Sequence, residues 1–245
     1  LQTDFYDRER LATWVNQYPG VVAWVRGQLG RGVSGWSSIG QWHGSVVAQR
    51  TRFLSNDQAV LIDEGTSQQD LLTLDDGVAR LRGRLRTPGQ CLRLIGLSGV
   101  GKTRLVEALF ENGIGDEPLD PGVTLYTDYS EEPTPTARNM ARELVATEQR
   151  AILVVDNCNP VTHSELARIC SADGSKVSLI TVEYDVADDE PEHTEVFRLQ
   201  PASLDVVAEW LGETFPAVTQ VDRRTIAEEQ RAPLCNPYLL CGEWG

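Results

Sequence analysis

The chain has 245 residues, 41% of them hydrophobic and 24% charged, which provides apolar material for a folded core and excludes wholesale disorder. Its formal charge of −14 is uneven: residues 1–90 carry 10 Arg against 9 acidic side chains, while residues 91–245 carry 12 Lys or Arg against 27. So acidic a second part repels phosphate backbones and argues against independent DNA or RNA binding there.

Residues 1–29 read as two short amphipathic helical pieces. Leu11, Trp14, Val15 and Tyr18 lie before a break at Pro19-Gly20, and Val22, Trp24 and Val25 follow it. Residues 30–73 are rich in glycine (Gly30, Gly32, Gly35, Gly40, Gly44). They are expected to form an ordered connector with short strands, because Trp36, Ile39, Trp42, Phe53, Leu54 and the run Ala59-Val60-Leu61-Ile62 need burial. A helix is expected over 74–85.

From Cys91 strands and helices alternate. Strands are expected at 91–95, 123–127, 151–155, 177–182 and 195–199, with helices over 102–111, 136–147 and 163–170. The alternation predicts an α/β fold over 74–200, a parallel sheet with helices on both faces. After Pro201 the period turns helical over 204–211 and 221–229. A small helical subdomain is therefore expected in 201–245, although the stretch from Arg231 shows no clear period. The chain opens on Leu1 and its single methionine is Met140, so a piece of a longer protein is expected.

No apolar run approaches the roughly 20 residues that span a bilayer, and no signal peptide is visible, so no membrane contact is expected. Cys91, Cys158, Cys170, Cys235 and Cys241 form no C-x-x-C pair and are odd in number, which points away from zinc and from a disulfide framework. Cys91 and Cys158 adjoin apolar runs and read as small buried hydrophobes. His43, His163 and His193 are scattered and read as surface or cap residues. A reducing cytoplasm fits this usage.

Gly96-Leu-Ser-Gly-Val-Gly-Lys-Thr103 matches G-x-x-x-x-G-K-[ST], after an expected strand and at the start of an expected helix. Glycines let the backbone curl so that its amides turn inward onto phosphates, and the helix N-terminus adds its positive dipole. Gly96, Ser98, Gly99, Val100, Gly101, Lys102, Thr103 and Arg104 are the candidate nucleotide contacts. Lys102 is expected on the β- and γ-phosphates and the Thr103 hydroxyl on Mg2+.

Ala151-Ile-Leu-Val-Val-Asp156 reads as a buried strand delivering Asp156 beside that loop to hold Mg2+ through water. The next residue is Asn157, where many ATPases carry a glutamate. An amide cannot take a proton, so slow hydrolysis is expected unless another carboxylate serves. Asp128, and Glu183 or Asp185, stand at neighbouring strand ends as candidates, with Thr181 as a candidate γ-phosphate sensor. No N-K-x-D motif is present, which favours adenine over guanine.

GLSGVGKTRLVEALF, ILVVDNC, SLITVEYD and VFRLQPAS together resemble the STAND NTPases, the signal-transducing class that includes NLR-type immune receptors, and within it the bacterial anti-phage branch called Avs. The resemblance covers roughly residues 74–227. FYDRERLATWVNQYPGVVAWVRGQLG is similar to the tail of an Mrr-type nuclease domain, which would make residues 1–29 the end of an upstream effector. Residues 1–73 hold no nuclease metal set, so that active site is expected upstream.

The resemblance implies a switch. A missing C-terminal region senses a phage protein, the NTPase assembles with ATP and Mg2+ as a homo-oligomer (a tetramer in the family), and an attached nuclease acts on DNA. Two other readings are a continuously cycling AAA-type motor, against which Asn157 and the lack of a recognisable arginine finger count, and a binding module whose nucleotide is only structural.

Overall fold

A computed structural model of the chain describes residues 7–29, 32–39, 61–65, 70–183, 192–202 and 208. The strands are β1 (Ser37–Ser38), β2 (Leu61–Asp63), β3 (Asp70–Leu72), β4 (Cys91–Ile95), β5 (Thr124–Asp128), β6 (Ala151–Asp156), β7 (Val177–Val182) and β8 (Glu195–Leu199). The helices are α1 (Arg8–Val15), α2 (Pro19–Gln28), α3 (Leu74–Arg86), α4 (Lys102–Ala108), α5 (Ala137–Ala146) and α6 (Pro160–Cys170).

Among the described residues the strands form one eight-stranded sheet in the order β1-β5-β6-β7-β4-β8-β2-β3. The five central strands, β5-β6-β7-β4-β8, run parallel. They are the expected ones. Their apolar runs are continuous because both faces are covered, and the period of two then sorts the side chains. Leu92, Leu94, Ile152, Val154, Ile180 and Val182 point to one face, under α3 and α4, with Val78, Leu81, Leu85, Leu105 and Val106. Cys91, Ala151, Leu153, Val155, Val177 and Leu179 point to the other, under α5 and α6, with Met140, Leu144, Leu166 and Cys170. Each large aliphatic side chain so buried contributes about 1.5–3 kcal/mol. A charge placed at Leu153, fully buried in β6, would break the layer.

The edges were not legible as part of this sheet. The glycine-rich stretch read as a connector hydrogen-bonds into it on both sides: β1 pairs antiparallel with β5, while β2 pairs antiparallel with β8 and with β3. Helix α3 packs close to β2 because residue 77 is glycine, and a Cβ there would stand 2.7 Å from Leu61 Cδ2. Helix α2 also lies on the sheet. A Cβ on Gly20 would stand 2.5 Å from the Thr124 carbonyl oxygen, and Ala23 is buried with the α5–α6 layer.

Local signals set the helix ends. Thr73 caps α3, accepting from Asp76 N while its hydroxyl donates to Asp76 Oδ2, a reciprocal capping arrangement. Asn159 caps α6 with Pro160 in the first turn, which starts that helix three residues before the expected 163. Helix α4 stops at Ala108 rather than 111. The fully buried Arg82 of α3 takes the carbonyls that would continue it, donating to Ala108 O, Leu109 O, Glu111 O, Ile114 O and Asp116 O at 2.5–3.0 Å. One guanidinium thus caps α4 and fastens the loop after it. No helix among the described residues is long and apolar enough to cross a membrane. The helices expected over 204–211 and 221–229 lie outside the described residues, apart from Ala208.

Candidate nucleotide site

The carboxyl end of β4 leads into a loop that only glycine can make. Gly96 has φ 149° with the Leu199 carbonyl 2.5 Å from where a Cβ would be, and Gly99 and Gly101 have φ 79° and 94°. Around a Cβ at Gly101 there is open space, so there the positive φ rather than crowding calls for glycine. Gly101 N-caps α4 without a side-chain hydrogen bond, leaving the first-turn amides of α4 uncapped by any side chain there. Val100 packs partly against the α3–α4 core, anchoring the loop, while Ser98 is exposed.

Lys102, the first residue of α4, bends back over the loop, its ammonium donating to Gly96 O at 2.8 Å and Leu97 O at 2.7 Å. Thr103 Oγ1 donates to Asp156 Oδ2 at 3.1 Å, across 53 residues of chain. Asp156 ends β6, one strand away from the loop-bearing β4, since β7 lies between them. Its Oδ1 accepts from Asn157 N at 2.9 Å, and the Tyr126 phenol also hydrogen-bonds this carboxylate. Burial pushes the Asp156 carboxyl above the usual range and Asp128 adds to this, against the Asn157 amide, the Thr103 hydroxyl and Lys102.

These groups fit a nucleotide with a hard divalent ion. Among the described residues no three His, Cys, Asp or Glu side chains gather into a metal cage. Nucleotide-linked Mg2+ is generally held in another manner, by one or two protein oxygens together with phosphate and water. Thr103 Oγ1 and Asp156 Oδ2 form such an oxygen pair beside the glycine loop.

The other expected residues fall into distinct surroundings. Asp128 ends β5 in register with Asp156, and Asn157 Nδ2 lies 3.0 Å from each of its carboxylate oxygens. Burial works to raise the Asp128 carboxyl, but hydrogen bonds from Ser130 and Asn157 outweigh it and hold it below the usual range. Glu183 is not poised as a base: it is buried and ion-paired with Arg93, Nε at 3.0 Å and Nη2 at 2.7 Å from the same oxygen. Asp185 lies outside the described residues.

Arg104 does not turn to the loop. Its guanidinium runs along α4 to Glu111, at 2.6 and 3.0 Å. Thr181 points into the α5–α6 face, the side away from α4, and bonds His163 Nδ1 at 2.7 Å. His163, expected as a surface or cap residue, is fully buried between Thr181 and Thr194. Cys91 and Cys158 are buried, as expected, and burial pushes both thiols up to about 12. Tyr126 went unnoticed as a partner of Asp156. Its one signal was parity: two residues before Asp128, it shares that residue's face of β5.

No family model and no curated protein matches the chain. Among solved structures, a STAND protein with a tetratricopeptide repeat sensor from Pyrococcus horikoshii is similar at TM-score 0.43 and 10% identity, over 76% of this chain and 30% of that one. The chain therefore matches under a third of that protein's length. Rhizobiales Trip13 is similar at TM-score 0.42 and 15% identity, over 63% of this chain and 73% of that one. A chain of the Escherichia coli MS115-1 HORMA:CdnC:Trip13 complex is similar at TM-score 0.36 and 11% identity, over 93% and 77%. Likenesses this distant say nothing of function.

Proposed function

We propose that this chain is the NTPase module of a STAND-type signalling protein, binding ATP with Mg2+ on the loop 96–103 and hydrolysing it. The observation that carries this reading is the convergence of Lys102, Thr103 and Asp156 on one glycine-rich turn between β4 and α4. Three glycines with φ between 79° and 149° give the turn a backbone that side chains disfavour.

The roles follow from the chemistry. Lys102, now on two loop carbonyls, exchanges them for β- and γ-phosphate oxygens, trading neutral acceptors for charged ones. Thr103 and Asp156 hold Mg2+, Asp156 through water. When bound, Mg2+ held there would supply Lewis-acid stabilisation of charge on the phosphate oxygens. Tyr126 and the Asn157 amide fix the Asp156 carboxylate in place, as outer partners fix a metal ligand. Adenine is the favoured base.

The wider reading rests on the sequence motifs. In it the module assembles with copies of itself in the ATP state, as a tetramer in the family it resembles. It then controls an attached DNA nuclease when a further region senses a phage protein in the cytoplasm.

Calorimetric titration of ATP with Mg2+ into the full-length protein tests the core of the proposal. Wild type should bind, Lys102→Ala should lose binding at least tenfold, and chelating Mg2+ should weaken wild type while affecting Thr103→Ala less. Equal affinity in Lys102→Ala and wild type would put the phosphates elsewhere.

A further inference from the structure

The residue after Asp156 cannot serve as a base, yet its side chain is not idle. Asn157 has φ 52°, a left-handed backbone that asparagine tolerates better than most residues. That turn carries its side chain sideways to the end of β5, where Nδ2 reaches both oxygens of Asp128 at 3.0 Å. A carboxylate only accepts, so the donor end of the amide must face it. Asp128 and Asp156 are register partners on adjacent parallel strands, with strand spacing of about 4.8 Å. Parity places Asp128 on the same face as Tyr126 and hence as Asp156.

The hydrogen bonds on Asp128 are unequal. Oδ1 accepts from Ser130 N at 2.9 Å, Ser130 Oγ at 2.6 Å and Asn157. Among the described residues Oδ2 accepts from Asn157 alone, which leaves it lone-pair capacity for a water molecule. Asp128 is half-buried, so that water has a way in.

We propose that Asp128 is the carboxylate that orients and polarises the attacking water, and that Asn157 is the positioning residue that holds it. The acid has moved one strand across the sheet, and the amide beside Asp156 steers it from there. In the step itself, the water oxygen bonds to the γ-phosphorus as the bond from that phosphorus to the β,γ-bridging oxygen breaks, its electron pair leaving on ADP. The proton that the water gives up passes by way of Asp128 to solvent. ATP and water go in; ADP, orthophosphate and one proton come out. The inference rests on the nucleotide reading given above.

A double-mutant cycle on the full-length protein tests it, with ATP affinity measured by calorimetry beside kcat and KM. Asp128→Asn keeps the shape and removes the charge. Asn157→Gly keeps the left-handed backbone and removes the amide. Asp128→Asn should lower kcat about 100-fold, the scale of a lost general base, with ATP affinity within threefold of wild type. Asn157→Gly should lower kcat about tenfold with KM unchanged, and should add nothing in the Asp128→Asn background, because it acts through that carboxylate. Losses that multiply would overturn the positioning role. ATP affinity falling in step with kcat would reduce both residues to structural ones and overturn the proposal. If wild type fails to bind ATP, the nucleotide reading and this proposal fall together. If it binds ATP and Asp128→Asn turns over at the wild-type rate, this proposal alone falls.

Discussion

Arg93 of β4 and Glu183, just beyond β7, close an ion pair at 2.7 Å that is almost wholly out of water, with side chains 2% and 7% exposed. It ties the strand that leads into the glycine loop to its neighbour, on the face away from α4. Breaking a buried pair by removing one member is costly, so Glu183→Ala should cost about 3–5 kcal/mol. Replacing both with apolar residues of similar volume should cost far less. Urea unfolding of the two variants checks this. ATP affinity in Glu183→Ala should stay near wild type at temperatures where it remains folded, and a specific loss of kcat there would restore Glu183 as a candidate base.

Arg82 makes a second buried commitment. Four of its five carbonyl acceptors lie between α4 and β5, in a stretch with no strand or helix apart from a short 3-10 turn, and the fifth, Ala108, ends α4. Arg82→Met fills much of the volume and returns none of the hydrogen bonds. It should destabilise the protein by about 3 kcal/mol or more, since hydrogen bonds to charged groups contribute about 1.5–3 kcal/mol each and are not additive. Hydrogen exchange should locate the loss in residues 108–119 before the rest of the chain opens.

The central strands were legible because their burial on both faces leaves uninterrupted apolar runs, and the glycine loop because its backbone demands particular residues at fixed places. Neither signal depends on distant chain. Strands β1, β2 and β3 are two or three residues long, and they join the sheet only through β5 and β8, far along the sequence from β1 and β2, so no local period could place them there. Arg82 looked like one basic residue among four on α3, and only the fold brings the end of α4 to it. Asn157 could be read as a missing acid but not as a clamp on Asp128, because that depends on the sign of one φ angle and on a register between two strands.

Helices α1 and α2 lie in residues 1–29, which resemble the tail of an upstream effector domain, and Gly20 sets α2 against the sheet. A methyl group there would stand 2.5 Å from the Thr124 carbonyl, which is backbone and cannot swing aside. Gly20→Ala should therefore loosen α2 despite raising helix propensity. The expected outcome is faster proteolysis within residues 7–29 with the glycine loop still protected. If Gly20→Ala is as resistant as wild type, α2 does not depend on this close approach.

Asp156 is ionised at a cost before metal arrives. Its folded pKa lies above the unfolded value through burial and the nearby Asp128 charge. For a carboxyl raised in this direction, the folded state binds the proton more tightly than the unfolded chain does. Stability in metal-free protein is then lost as pH rises from the ordinary carboxylate range through the folded pKa. Asp156→Asn removes the charge while its side-chain oxygen can still accept from Asn157 N. It should melt higher than wild type without Mg2+ near neutral pH, and should lose the further rise that Mg2+ with ATP gives wild type. A variant that melts lower than wild type without metal would mean that the carboxylate stabilises the resting site.

The last prediction concerns assembly. Nucleotide can drive it only if the assembled form holds ATP more tightly than the single chain does. Copies of a chain with net charge −14 repel one another, so any ATP-dependent contact works against that field. Screening weakens the repulsion, with a Debye length of about 10 Å at 0.1 M salt and about 3 Å at 1 M. Three outcomes follow for the full-length protein with its trigger. Mass should rise with ATP and Mg2+, it should rise further on going from low to moderate salt, and it should not rise for Lys102→Ala. Asp128→Asn, which is expected to bind ATP and hydrolyse it slowly, should stay assembled longer than wild type after free ATP is removed. Mass photometry across a salt series reads all of these. A species that stays monomeric with ATP and Mg2+ and still switches on the attached nuclease would sink the assembly model, while leaving the nucleotide site as described.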